Sequence, residues 1–321
     1  MLFPLPAGQG IESAGIPAHA SPIETRRRVA FYDRPARSLL NRTAPGMPFR
    51  WTVNPYRGCE FGCKYCYARY AHEYMNLSPE QFEGRVYIKR FSPAAFRAGL
   101  CRIATGEAIV IGSATDPYQP VEREAQSTRT LLKILAGERG RSVSLTTKSD
   151  LIVRDLDLLR AIAAANSLHV NFTVTTLDDR IARVLEPRAP RPVLRLRAMR
   201  AVAGAGIPVG VFPNPVMPCL TDSEENLDAV ARAASAAGAR FMYCGAVRVS
   251  RCSRGVFFSA LDRHFPKAAA RCREILRGRA RSDWVQSVSE RVRGVRARYR
   301  LASGSPVSPM PAPEPQLSLF G

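Results

Sequence analysis

Lysine is nearly missing from the basic residues of this 321-residue chain: 5 of the 47 are Lys and the rest Arg. Codon bias in a GC-rich genome accounts for Arg in place of Lys. It does not account for the shortage of acid, 27 Asp and Glu against those 47, which leaves a net charge of +20. A surplus of this size implies a polyanionic partner, nucleic acid first, because cations gain free energy by releasing counterions from phosphates. The chain also lacks any apolar run near the roughly 18–20 residues a spanning helix needs, so no membrane is expected. Met1–Ala20 has neither a basic start nor an apolar stretch, so Ala18-His19-Ala20 is not a secretory cleavage site and a cytoplasmic location is expected. An evenly spread cysteine framework is lacking too: of eight cysteines, three crowd into residues 59–66. That distribution suits metal ligation in a reducing compartment better than disulfides.

Residues 1–48 are rich in Pro, Gly and Ala, carry Arg26-Arg27-Arg28 and show no sustained period, which predicts an irregular arm. Apolar runs at 108–112, 143–147, 169–175, 208–212 and 240–247 predict buried strands. Helical spacing at 124–135, 155–165, 193–205 and 223–236 predicts helices between them. N-cap oxygens at Ser149-Asp150 and Thr221-Asp222-Ser223, with Gly137, Gly206 and Gly238 at the stops, agree. The alternation implies βαβ units and a parallel sheet: an α/β, partial (β/α)6 TIM-like barrel over 49–249, with chemistry at the C-terminal ends of its strands. Residues 250–301 read as a basic helical extension (260–276 and 284–299), and 302–321 as a Pro- and Ser-rich disordered tail. Between Arg240 and Arg300, 16 basic and 4 acidic residues concentrate the charge.

The segment Asn54-Pro55-Tyr56-Arg57-Gly58-Cys59-Glu60-Phe61-Gly62-Cys63-Lys64-Tyr65-Cys66-Tyr67 sets three thiols at C-x3-C-x2-C spacing on a glycine-containing loop. Three thiolates can hold three corners of a [4Fe-4S] cluster; with no fourth cysteine nearby, one iron stays open to a further ligand. Zinc is the alternative, with His72 as the nearest fourth ligand. The spacing, with aromatic Tyr65 directly before the third cysteine, resembles the signature of the radical S-adenosylmethionine (SAM) superfamily. The resemblance implies that the open iron of a [4Fe-4S] cluster on Cys59, Cys63 and Cys66 chelates SAM. One electron then cleaves SAM to methionine and a 5′-deoxyadenosyl radical, with an electron donor such as flavodoxin or ferredoxin as partner.

Thr115-Asp116-Pro117-Tyr118-Gln119-Pro120-Val121-Glu122, Thr147-Lys148-Ser149, Phe172–Thr176 and Glu186-Pro187 extend the likeness, which resembles the spore photoproduct lyase-like branch from about Trp51 to Val249. It implies that Tyr65, Thr115, Asp116, Lys148 and Thr175 contact SAM, the Lys148 ammonium suiting the methionyl carboxylate. Structural readings stand beside these: Asp116 as a turn former before Pro117, Lys148 as a solvated strand end, Glu186-Pro187 as a helix stop. One departure matters. The lyases return a hydrogen atom from a cysteine just ahead of the matching acidic residue, and here Ser113-Ala114-Thr115 stands there; a serine O–H bond is too strong. Cys219 or Cys244 are the candidate donors that remain, and no spacing among the other cysteines suggests a second cluster. The tail ends Gln316-Leu317-Ser318-Leu319-Phe320-Gly321, which resembles the bacterial sliding-clamp-binding motif and implies that Gln316, Leu317, Leu319 and Phe320 reach a clamp; docking back on the barrel is the alternative. Three functional readings follow: radical SAM chemistry on DNA, the same chemistry on RNA or protein, and a non-catalytic metal-binding nucleic-acid adaptor.

Overall fold

The computed structural model of the chain describes residues 24–26, 29–44 and 47–304. Among the described residues eleven strands run in chain order: β1 (Glu24–Arg26), β2 (Val29–Pro35), β3 (Leu40–Arg42), β4 (Trp51–Val53), β5 (Tyr56–Arg57), β6 (Arg85–Arg90), β7 (Ala108–Ile111), β8 (Ser142–Thr147), β9 (Ser167–Thr173), β10 (Val209–Phe212) and β11 (Phe241–Met242). The main sheet has the order β11-β10-β9-β8-β7-β4-β3. Its strands from β4 to β11 are parallel, and β3 pairs antiparallel with β4. Six parallel strands with helices 127–136, 156–165, 192–204 and 224–236 between them make the expected partial barrel.

Side-chain alternation decides what faces what. Ile109, Ile111, Val143, Leu145, Val170, Phe172, Val209 and Val211 are fully buried in the main core. The opposite face of the central strands is polar: Ser144 pairs in register with His169 and Thr146 with Asn171, whose Nδ2 donates to Ser144 Oγ (3.0 Å) and Thr146 Oγ1 (3.1 Å). A polar lumen under an apolar outer face is the architecture of a barrel that holds a ligand.

Three expectations need correction. The stretch to residue 48 is not wholly irregular. Val29 and Phe31 alternate into a small core with Val86 and Ile88, and β2 adds a strand to a second sheet, β1-β2-β6-β5, while β3 extends the main one. The helix expected over 124–135 breaks into Glu122–Ala125 and Ser127–Ala136, because Gln126 takes a left-handed conformation with φ 48°. The segment expected to be helical over 260–276 is two helices, Arg251–His264 and Pro266–Ile275, since Pro266 cannot continue the first.

The last helix, Gly278–Arg298, buries Trp284, Val288, Val292 and Val295 along one stripe against helix 224–236. Beyond it Ala302 is held at the edge of β11: Met242 N donates to Ala302 O (2.9 Å), and Ala302 N to Arg240 O (3.0 Å). Gln316, Leu317, Leu319 and Phe320 lie outside the described residues. Among the described residues no helix is long and apolar enough to cross a membrane.

Candidate functional site

The three cysteines sit on the loop between β5 and the short helix Tyr67–Arg69, at the C-terminal mouth of the barrel. Glycine shapes this loop. Gly58 has φ +86°, and a Cβ there would stand 2.5 Å from Arg85 O and 2.9 Å from Phe82 O. The backbone is then tied down from outside: Cys59 N donates to Phe82 O (3.2 Å) and Lys64 N to Leu185 O (2.8 Å). Arg69, fully buried, donates from Nη2 to Cys63 O (3.2 Å) and from Nη1 to Glu83 Oε2 (2.6 Å). Burial pushes the Cys59 and Cys66 thiols up and that of Cys63 to about 12. Protons on these three thiols, two buried and that of Cys66 half-buried, are what a metal displaces when it is bound.

The loop after β7 braces the cysteine loop. Thr115 Oγ1 donates to Gly58 O (2.7 Å), and Gln119 Nε2 to Thr115 Oγ1 (3.0 Å). Glu60 N donates to Gln119 Oε1 (2.9 Å), and Val121 N to Glu60 Oε1 (2.7 Å). Asp116 is buried, with its oxygens accepting from Thr147 Oγ1 (2.7 Å), Lys148 N (2.7 Å) and Tyr118 N (2.9 Å). Burial raises its pKa against those bonds. Thr115 and Asp116 are thereby occupied in joining the ends of β7 and β8 to the cysteine loop.

A buried charge relay sits beneath. The Tyr65 hydroxyl donates to Glu186, whose other oxygen is 2.6 Å from Arg195 Nη1. Arg195 also donates to Pro190 O (2.7 Å) and Thr173 O (3.1 Å), fixing helix 192–204 to the end of β9. Lys148 Nζ stands 5.8 Å from the centroid of the Tyr65 ring. Burial works against its charge, but Cys63 and Glu186 outweigh it and leave its pKa raised. The Glu186 carboxyl is held down by Arg195 and Lys148, against the upward push of burial. Lys148 forms no ion pair among the described residues, so its ammonium is available to an anionic ligand. Thr175 is buried two residues past β9. Tyr65, Lys148 and the cysteine loop are thus brought together, with Thr115 and Asp116 behind them. Glu186, part of the family likeness, completes the arrangement with Arg69 and Arg195, which carry little sequence signal in a chain full of arginine.

Other expectations resolve differently. His72 is turned away from the thiols: its Nε2 bonds Arg85 O at 3.0 Å and its ring packs edge-on against Phe82 and Tyr87, which leaves the zinc alternative without its fourth ligand. Ser113 Oγ is bonded to Thr52 Oγ1 and accepts from Asn54 Nδ2 (3.1 Å). Cys219 is exposed, and Cys244 lies within the field of Arg296 on the last helix. A cavity of about 270 Å³ lined by Phe61, Tyr118, Leu151 and Pro190 touches the cysteine loop but none of the expected ligand residues.

Known proteins bear on this arrangement. An uncharacterised protein of Mycobacterium tuberculosis (strain ATCC 25618 / H37Rv) is 33% identical over 300 residues, spanning 91% of this chain and 86% of its own. An uncharacterised protein of Methanocaldococcus jannaschii is 30% identical over 190 residues, 59% of this chain and 68% of its own. Among solved structures, spore photoproduct lyase complexed with dinucleoside spore photoproduct has the same fold, with TM-score 0.64 at 15% identity over 85% of this chain and 80% of that one. A variant of that lyase with bound AdoMet and dinucleoside spore photoproduct gives TM-score 0.62 at 15% identity over the same shares, 85% and 80%. Residues 53–230 match the Radical SAM superfamily, whose members use a [4Fe-4S] cluster and SAM. By that match the chain, a radical SAM enzyme, belongs to the radical SAM superfamily.

Proposed function

We propose that the enzyme acts on DNA, in a repair-like reaction, with Cys59, Cys63 and Cys66 holding the cluster and Tyr65, Lys148 and Thr175 lining the SAM site. The observation that carries the site assignment is the Lys148 ammonium, in no ion pair among the described residues, over the Tyr65 ring and in the field of Cys63 on a glycine-shaped cysteine loop. Soft sulfur donors and one free cation suit an iron–sulfur cluster with an amino-acid carboxylate beside it. A cluster held by Cys59, Cys63 and Cys66 would supply one-electron reduction of SAM. This chain's residues do the rest by position. Lys148 pairs the carboxylate, Asp116 fixes the Lys148 backbone, Glu186 and Arg195 hold the Tyr65 ring, and the Cys59–Cys63 loop closes the site to water. Ser113 in place of a thiol argues against the lyase's own thymine-dimer reversal.

A nucleic acid is favoured over protein by the 16 basic residues against 4 acidic between Arg240 and Arg300, and DNA over RNA by the sliding-clamp-like tail peptide. Gln316, Leu317, Leu319 and Phe320 are proposed to tether the enzyme to a sliding clamp, which raises its effective concentration at DNA. Anaerobic reconstitution should give about four iron and four sulfide per chain and reductant-dependent SAM cleavage, lost in Cys59→Ala, Cys63→Ala or Cys66→Ala. Tighter binding of transfer RNA than of damaged DNA at physiological salt overturns the DNA reading. Equal clamp capture with and without Gln316–Phe320 overturns the tether.

A further inference from the structure

The outer face of the small sheet gathers four cations, Arg34, Arg57, Arg85 and Lys89, with no acid among them. In the parallel register of β2 and β6, Tyr32 lies beside Tyr87 and Arg34 beside Lys89, while β5 sets Arg57 opposite Tyr87. Alternation sends Phe31, Tyr56, Val86 and Ile88 into the small core and leaves this set on the other side. Among the described residues Arg34, Arg57 and Lys89 form no ion pair, and Arg34 Nη1 rests 2.7 Å from the Met75 sulfur instead. Burial, then Arg57 and Arg34, pull the Lys89 ammonium down to about 7. Like charges so placed repel one another and are retained at a cost in stability, which a bound anion removes.

Beside them runs a row of aromatic rings. Tyr67 and Tyr70 stack at 6.3 Å between centroids, and Tyr70 meets Tyr74 edge-on at 5.9 Å. Tyr67 and Tyr74 are 37% and 49% exposed, unusual for rings of that size. The Tyr67 hydroxyl donates to Ser113 O at the barrel mouth, while Tyr70 and Tyr74 lie within the field of Arg57. The row therefore connects the mouth to the cations. Alternating ring faces and cations are what a single nucleic-acid strand requires: stacking is indifferent to sequence, and phosphates follow at each step.

We propose that this face is a track for single-stranded DNA, with Arg34, Arg57 and Lys89 on phosphates and Tyr70 and Tyr74 under bases, delivering the target nucleoside to the barrel mouth. The inference rests on the DNA reading above and adds a second cationic surface to the C-terminal helices. It is tested with the full chain and a labelled oligothymidylate of about ten nucleotides, by fluorescence anisotropy across a salt series. The double variant Arg34→Gln/Lys89→Gln should weaken binding roughly tenfold and flatten the slope of log affinity against log salt by about 1.4, two lost phosphate contacts. Tyr74→Ala should weaken binding about fivefold and keep the slope, because stacking releases no counterions. Arg139→Gln, an exposed cation in the turn before β8 at the far end of the barrel, should bind like the unaltered chain. Lys89→Met should raise the melting temperature while lowering affinity. A lower melting temperature for Lys89→Met, or an unchanged slope in the double variant, overturns the track and leaves the DNA reading standing. If the unaltered chain shows no salt-dependent binding of DNA at all, both fall together.

Discussion

At the scale of single residues, the site depends on charges balanced without water. Glu186 and Arg195 are 2% and 1% exposed and face each other at 2.6 Å. Removing one partner leaves the other charge buried alone, so Glu186→Gln should cost about 3–5 kcal/mol in urea unfolding, and Glu186→Leu/Arg195→Met should recover most of it. Lys148 differs in standing in no ion pair among the described residues, though Cys63 and Glu186 favour its charge. Lys148→Gln should lower SAM affinity roughly 10- to 100-fold in anaerobic calorimetry, about 1.5–3 kcal/mol for a charge-assisted bond, with no loss of fold. Two histidines set a pH response. Burial holds His72 and His169 down to about 4, from an ordinary 6.5. Between those values the unfolded chain binds protons that the native one refuses, so their contribution is complete above about pH 6.5 and lost as pH falls towards 4. His169→Gln should remove one titration and flatten the fall in urea midpoint between pH 7 and 5.

At the scale of elements, loop geometry governs cluster binding. Gly58→Ala must place a side chain at φ +86° and 2.5 Å from Arg85 O, whereas Gly140→Ala, at φ +68°, meets nothing within 4 Å. Both carry the left-handed penalty of about 1–2 kcal/mol. Only Gly58→Ala should also lose iron on reconstitution, measured per chain. How much of this was legible in the sequence differs by kind of element. The barrel strands were readable from apolar residues at alternate positions, as in Val143-Ser144-Leu145 and Val170-Asn171-Phe172, whose apolar members fill the core. Their ends were less so: Thr175 lies past β9, and β11 is Phe241–Met242 rather than 240–247 because the edge is completed by Ala302. The cysteines were legible as candidate ligands from spacing alone. Arg69 and Arg195 were not, since their meaning arises from contacts across 14 and 22 positions of chain, and Glu186 was visible only through the family likeness, its partner Tyr65 lying 121 positions away. Gln126 shows the same limit locally: nothing in Glu122–Ala136 signals a left-handed residue inside an apparent helix.

At the scale of the whole molecule, the C-terminal helices are part of the fold and not an appendage to the barrel. Trp284, Val288, Val292 and Val295 are buried on helix 224–236. At about 1.5–3 kcal/mol for each buried side chain, they contribute roughly 6–12 kcal/mol, comparable to the whole stability of a typical domain at about 5–15. Arg298 is 3.0 Å from Glu224, Tyr299 OH donates to Asp228 (2.8 Å) and Trp284 Nε1 to Asp222 (2.8 Å), fastening the last helix at both ends. A chain ending at Ser250 should therefore be insoluble or unfolded by circular dichroism, with the β11 edge bare. Deletion thus cannot test what the basic helices bind. Charge substitution can, because Arg277, Arg279 and Arg293 are exposed and lie off the buried stripe. Changing all three to Gln should reduce the salt slope of DNA binding by up to about 2.7, or 0.9 for each duplex phosphate contact, with the melting temperature unmoved. An unmoved slope would assign the duplex-facing charge to another surface and leave these helices a purely structural role.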